Sequence, residues 1–125
     1  MYRLSVEGGF SSAHYLRDYQ GKCSRLHGHN WRVRLTVRAG ELDPQGMSVD
    51  FTELKAMLNS VLEKFDHVDL NQVSPFDKQN PTAENIARVI FEMAGEKLPA
   101  GVEADKVELW ESEKNKVEYS NPDYS

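Results

Sequence analysis

The sequence predicts an α+β fold in which one antiparallel sheet carries two helices on one face, with elements in the order β-β-α-α-β-β. Three patterns lead there. Extended runs with alternating polarity occupy residues 2–7 and 27–39. Apolar residues at helical spacing then follow two capping signals, at Asp50 and Thr82. Two further short alternating runs, 106–111 and 116–119, close the chain.

In the first run, Tyr2, Leu4 and Val6 oppose Arg3, Ser5 and Glu7, the signature of a half-buried strand. Gly8-Gly9 permits a bulge or kink before the chain continues through Phe10 to His14. In the second strand Trp31, Val33, Leu35 and Val37 lie on one face, with Arg32, Arg34, Thr36 and Arg38 on the other. Turn chemistry fills residues 40–46. Asp50 then caps a helix, with Glu53 at the capping-box position and a stripe of Phe51, Leu54, Met57, Leu58, Val61, Leu62 and Phe65. Thr82 caps the second helix, which buries Ile86, Val89, Ile90 and Met93. A sheet this small has edge strands that want partners, so a homo-oligomer is expected.

No repeat, low-complexity tract or linker divides residues 1–125, which read as a single domain. Fifteen basic against twenty acidic residues give a net charge of −5. With no basic run, that balance argues against nucleic acid as a direct ligand. No apolar stretch approaches the roughly 20 residues needed to cross a bilayer, and the N-terminus lacks the apolar core of a signal peptide. A cytoplasmic protein without membrane contact is expected. The one cysteine, Cys23, excludes an internal disulfide.

His27 and His29 stand two apart on a strand, so their rings project to one face, the face of Trp31 and Val33. Two histidines pointing to the apolar side need partners, and a metal such as zinc satisfies both. His14, at the end of the neighbouring strand, can supply a third nitrogen. Three protein ligands leave one position open, the mark of a catalytic zinc. Cys23, close before His27, is either a fourth ligand closing a structural site or a proton-transfer group; the sufficiency of three histidines favours the latter. Asp66-His67 is an adjacent acid–base pair that cooperates only in a turn or at a helix end. Glu111 shares parity with Val107 and Leu109 and is expected to face the packed side. Glu84 is explained by a first-turn acid at a helix N-terminus.

Six ordered stretches carry a family resemblance: Phe10-Ser11-Ser12-Ala13-His14; Cys23-Ser24-Arg25-Leu26-His27-Gly28-His29-Asn30-Trp31; Met47-Ser48-Val49-Asp50-Phe51; Phe65-Asp66-His67-Val68-Asp69-Leu70-Asn71; Asn80-Pro81-Thr82-Ala83-Glu84-Asn85; and Val107-Glu108-Leu109-Trp110-Glu111-Ser112. Together they resemble the 6-pyruvoyl-tetrahydropterin and 6-carboxy-tetrahydropterin synthase family. The resemblance implies the tunnelling fold, whose subunits join in a trimeric barrel, often as two stacked trimers, with active sites between subunits. It implies one Zn²⁺ per chain on His14, His27 and His29, and a proton-transfer set of Cys23, His67 and Glu111 with Asp66 nearby. It further implies that Glu84 anchors a pterin ring, with Thr82 beside it. Three residues separate Cys23 from His27, which is similar to the carboxy-forming branch of the queuosine (7-deazaguanine) pathway. The implied reaction converts 7,8-dihydroneopterin triphosphate to 6-carboxy-5,6,7,8-tetrahydropterin, acetaldehyde and triphosphate. Formation of 6-pyruvoyl-tetrahydropterin is the near alternative, and a non-catalytic zinc-binding module is an alternative of another class. Trp31 and Ser112 depart from the family's usual Tyr or Phe and Thr.

Overall fold

The computed structural model describes residues 1–122. Strand β1, Tyr2–His14, pairs antiparallel with β2, His27–Ala39, in unbroken register from Tyr2 opposite Ala39 to His14 opposite His27. Strand β2 pairs in turn with a later strand, Val102–Trp110, and that strand pairs with Lys116–Ser120, both antiparallel. Between them the chain forms helix α1, Phe51–Leu62, a two-residue strand β3, Val68–Asp69, and helix α2, Ala83–Gly95; the two late strands are therefore β4 and β5. The sheet order is β3-β1-β2-β4-β5.

The predicted α+β architecture holds, with three local differences. Strand β1 runs continuously through Gly8-Gly9, where the sequence allows a kink. Those glycines instead permit close packing: a Cβ on Gly8 would lie 3.0 Å from Asn59 and Leu62 of α1, and one on Gly9 2.8 Å from the Trp31 carbonyl. Strand β4 begins at Val102 rather than at residue 106. Strand β3 is too short for any period to announce it, and it runs parallel to the end of β1, with Ser12 opposite Val68.

Both helices begin where their caps predict. The Asp50 carboxylate accepts the Thr52 N–H at 2.7 Å, and the Thr82 hydroxyl accepts that of Asn85 at 3.1 Å. Helix α1 packs on β1 and α2 on β4 and β5. The core between helices and sheet includes Val33, Leu35, Val37, Leu54, Leu58, Ile86, Ile90 and Leu109, all fully buried. Phe51, placed in the apolar stripe by its spacing, is 59% exposed. It is the first residue of α1 and lines a surface recess with Tyr2, Leu4 and Met47.

The opposite sheet face is polar, as the β2 pattern predicts, but its alternation breaks at a register shift between Thr36 and Val37. Thr36 is buried there and shares a 2.8 Å hydrogen bond with Ser5. Glu108 is also buried on this face, 2.6 Å from Lys116, with Arg34 and Lys106 just beyond.

Candidate active site

The strand register makes the histidine cluster. His14 stands opposite His27, and Ser12 opposite His29, so three imidazoles share the helix-facing side at one end of the sheet. Their ring centroids are 4.6 Å (His14 to His27), 5.2 Å (His14 to His29) and 4.8 Å (His27 to His29) apart. Glu111, just past β4, adds a carboxylate, and one donor atom from each of the four residues lies within 4.8 Å of the others.

Each ring's orientation has a local cause. The His14 Nδ1–H donates to the Pro81 carbonyl at 2.7 Å, and the His27 Nδ1–H to the Arg25 carbonyl at 2.7 Å. A carbonyl only accepts, so both rings carry a proton on Nδ1, and Nε2 is the nitrogen left to face a metal. The Nε2 atoms of His14 and His29 are buried and have no hydrogen-bond partner among the described residues. His29 Nε2 lies 3.0 Å from Glu111 Oε1, close but outside hydrogen-bonding geometry. Buried nitrogens left without partners are costly. Burial pushes the His14 and His29 pKa values below the ordinary imidazole value, against the raising influence of Pro81 on the first and Glu111 on the second. Three clustered imidazoles and an adjacent carboxylate, with one donor atom each within 4.8 Å of the others, fit a divalent cation.

Beside the cluster opens a cleft of about 380 Å³, within the range of small-molecule sites, lined by His14, Arg17, Cys23, Thr82, Glu84 and Glu111 among others. Cys23 sits partly buried on a short 3-10 turn, Lys22–Ser24, and is not in the four-residue donor group. The carboxylate that joins the histidines is Glu111, so a Cys-His₃ closed site is not the arrangement found. Glu84 reaches the cleft from the first turn of α2, beside its cap Thr82.

Asp66 and His67 are elsewhere. Neither lines the cleft, and the His67 side chain is 80% exposed. The pair forms through a backbone turn: His67 has φ 56°, which brings its Nδ1 to 2.9 Å from the Asp66 carboxylate. Strand β1 holds the turn in place. The Ser11 N–H donates to Asp66 at 2.8 Å, the His67 N–H donates to the Ser11 carbonyl at 2.6 Å, and the Ser12 hydroxyl bonds to the Phe65 carbonyl. The Ser11 N–H, followed by His67, holds the Asp66 carboxyl below the usual carboxylate range.

Sequence reasoning missed Arg17 and the carbonyls of Arg25 and Pro81. Asn71 and Asn80 lie within the family-like motifs, where nothing in the sequence pattern assigns either a task. Backbone carbonyls leave no trace in side-chain patterning, and a lone arginine in a loop reads as solvated.

A largely antiparallel sheet with helices on one face and a three-histidine, one-carboxylate cluster at its end defines the class: an α+β protein with a site that could hold a metal. The chain belongs to the 6-pyruvoyl tetrahydropterin synthase family, which matches residues 3–122. It is 35% identical over 127 residues to the 6-carboxy-5,6,7,8-tetrahydropterin synthase of Synechocystis sp., covering 98% of this chain and 95% of the relative. It is 33% identical over 116 residues to the dihydroneopterin monophosphate aldolase of Pyrococcus furiosus, covering 93% and 95%. The structure of Caenorhabditis elegans 6-pyruvoyl tetrahydropterin synthase matches with a TM-score of 0.84 at 31% identity, covering 96% of this chain and 95% of that one.

Proposed function

We propose that the chain is a zinc-dependent carbon–carbon lyase that converts 7,8-dihydroneopterin triphosphate and water to 6-carboxy-5,6,7,8-tetrahydropterin, acetaldehyde and triphosphate, serving queuosine (7-deazaguanine) synthesis in the cytoplasm. The observation that carries it is the cleft of about 380 Å³ in which a thiol, Cys23, stands with His14 and Glu111 of the cluster without joining the donor set. Family membership and the carboxy-forming relative support the choice of substrate.

In this reading His14, His27 and His29 hold the zinc, whose bound form supplies Lewis acidity toward the substrate's side-chain hydroxyls. Cys23 takes a proton from the side chain of the substrate, and Glu111 stands where it can pass a proton onward. The Glu84 carboxylate accepts two parallel N–H bonds from the amidine edge of the pterin and fixes its orientation, with Thr82 beside it. The Asp66–His67 pair of one chain completes the cleft of another, so the working unit is a homo-oligomer, a trimer or hexamer. Its exposure on a single chain, held in place by Ser11 yet outside the cleft, supports that placement.

Product analysis decides the reaction. Zinc-loaded protein given dihydroneopterin triphosphate is expected to release acetaldehyde in step with 6-carboxy-tetrahydropterin. A 6-pyruvoyl product without acetaldehyde would move the chain to the pyruvoyl-forming branch, and a 6-hydroxymethyl pterin would make it an aldolase. Zinc binding without turnover would leave the non-catalytic module.

A further inference from the structure

The segment from Tyr15 to Leu26 that carries Cys23 contributes no buried residue, so hydrophobic packing does not hold it. Hydrogen bonds do, and they follow a strand-like alternation although no strand pairs with the segment. Asn71 accepts the Tyr15 N–H at 2.9 Å and donates to the Tyr15 carbonyl at 3.1 Å. Asn80 repeats the arrangement two residues on, accepting the Arg17 N–H at 2.9 Å and donating to the Arg17 carbonyl at 3.3 Å. Between them the Leu16 N–H turns to the other edge and donates to the Cys23 carbonyl at 2.8 Å. Alternate residues of an extended chain present their amides to opposite edges, so two asparagine side chains stand in for one neighbouring strand and Cys23 occupies the place of the other.

The Arg17 side chain locks this rung pattern to the segment that approaches α2. Its guanidinium donates to the carbonyls of Phe76 at 2.7 Å, Gln79 at 3.0 Å and Asn71 at 3.2 Å. That same segment ends at Pro81, whose carbonyl orients His14. One platform therefore holds the metal-site histidine directly and Cys23 through Arg17, Asn71 and Asn80. Charge-assisted hydrogen bonds in a fixed fork are the strong kind, and a lysine, whose three donors share one nitrogen, does not span the two guanidinium nitrogens that donate here.

We propose that Arg17, Asn71 and Asn80 are positioning residues that hold the Cys23 thiol at a set separation from the His14 imidazole. The inference rests on the reading of Cys23 as the proton-transfer group. It adds a cause for that group's placement, since a misplacement of about 1 Å can cost on the order of 10² in rate.

Cys23 is the only cysteine, so iodoacetamide labelling reads its environment alone. Labelling rates are measured for the zinc-loaded native protein, for the urea-denatured chain, and for zinc-loaded Arg17→Met, Arg17→Lys and Asn80→Ala, with zinc content, kcat and KM in parallel. In Arg17→Met and Asn80→Ala the rate is expected to move most of the way to the denatured-chain value while zinc is retained. Their kcat should fall about tenfold or more at little-changed KM, with Arg17→Lys in between. If Arg17→Met does not fold, Arg17→Lys and Asn80→Ala decide. Folded variants that label at the wild-type rate would overturn the proposal, as would equal rates for native and denatured wild-type chains. A wild-type protein that labels as expected yet does not turn over the pterin triphosphate would refute the proposed reaction and leave the labelling comparison standing.

Discussion

Among the described residues, His14 and His29 each bury an Nε2 without a hydrogen-bond partner, while carbonyls occupy the Nδ1 atoms of His14 and His27. This is the arrangement by which a protein presets ring orientation before a metal arrives. A His27→Ala/His29→Ala variant should therefore lose the roughly one equivalent of zinc expected per chain, and metal analysis after dialysis checks it; full retention would refute the assignment. Cys23 has the opposite relation to the metal, sharing the cleft but standing outside the donor group. Cys23→Ala should keep its zinc while turnover falls by about 10² or more, the usual scale for a positioned acid–base group. Zinc loss in that variant would return the thiol to the coordination sphere.

At the scale of elements, β2 and β4 place two unlike surfaces back to back. Their inner face packs on the helices, and their outer face buries Glu108 among Lys116, Lys106 and Arg34. Burial pushes the Glu108 carboxyl up, but the Lys116 hydrogen bond and the three cations outweigh it, so the net pKa lies below the ordinary value. A carboxyl with a depressed folded-state pKa contributes stability above its unfolded pKa, about 4.3, and that contribution is lost as pH falls through the lower folded value. Glu108→Gln should therefore destabilise the protein by about 1–2 kcal/mol at neutral pH, part of the cost being three cations left on one sheet face. Urea denaturation at pH 7 and at pH 3 measures it. The wild-type advantage should shrink at the lower pH, and an undiminished difference would contradict the linkage.

For the whole molecule, the cleft and the exposed Asp66–His67 pair are two parts of one proposed machine that a single chain keeps apart. Most of β1's outer edge is open as well, since β3 pairs only with Ser12 and Ala13. Mixing Cys23→Ala protein with His67→Ala protein after gentle dissociation should recover activity, because some sites then combine an intact Cys23 with an intact His67. For a trimer with three equivalent interfaces, random mixing restores a substantial minority of sites. Activity that persists in a monomer at nanomolar concentration, or mixing that restores none, would count against a shared site.

Much of this protein was legible in its residues alone. The alternation in β2 placed His27 and His29 on the face of Trp31, and the caps Asp50 and Thr82 set both helix starts, because these are nearest-neighbour rules of backbone and side chain. Tertiary structure decided the rest, and in each case the cause lies beyond local spacing. The β1–β2 register brought His14 to His27 across a long loop. The end of β4 carried Glu111 to His29. The left-handed turn at His67, pinned by Ser11, closed that residue on Asp66 outside the cleft. Strand β3 and the start of β4 at Val102 were hidden because pairing, not periodicity, makes them strands. The hold on Cys23 was hidden for a related reason: it runs through backbone carbonyls and two asparagine amides, groups whose partners only the folded chain selects.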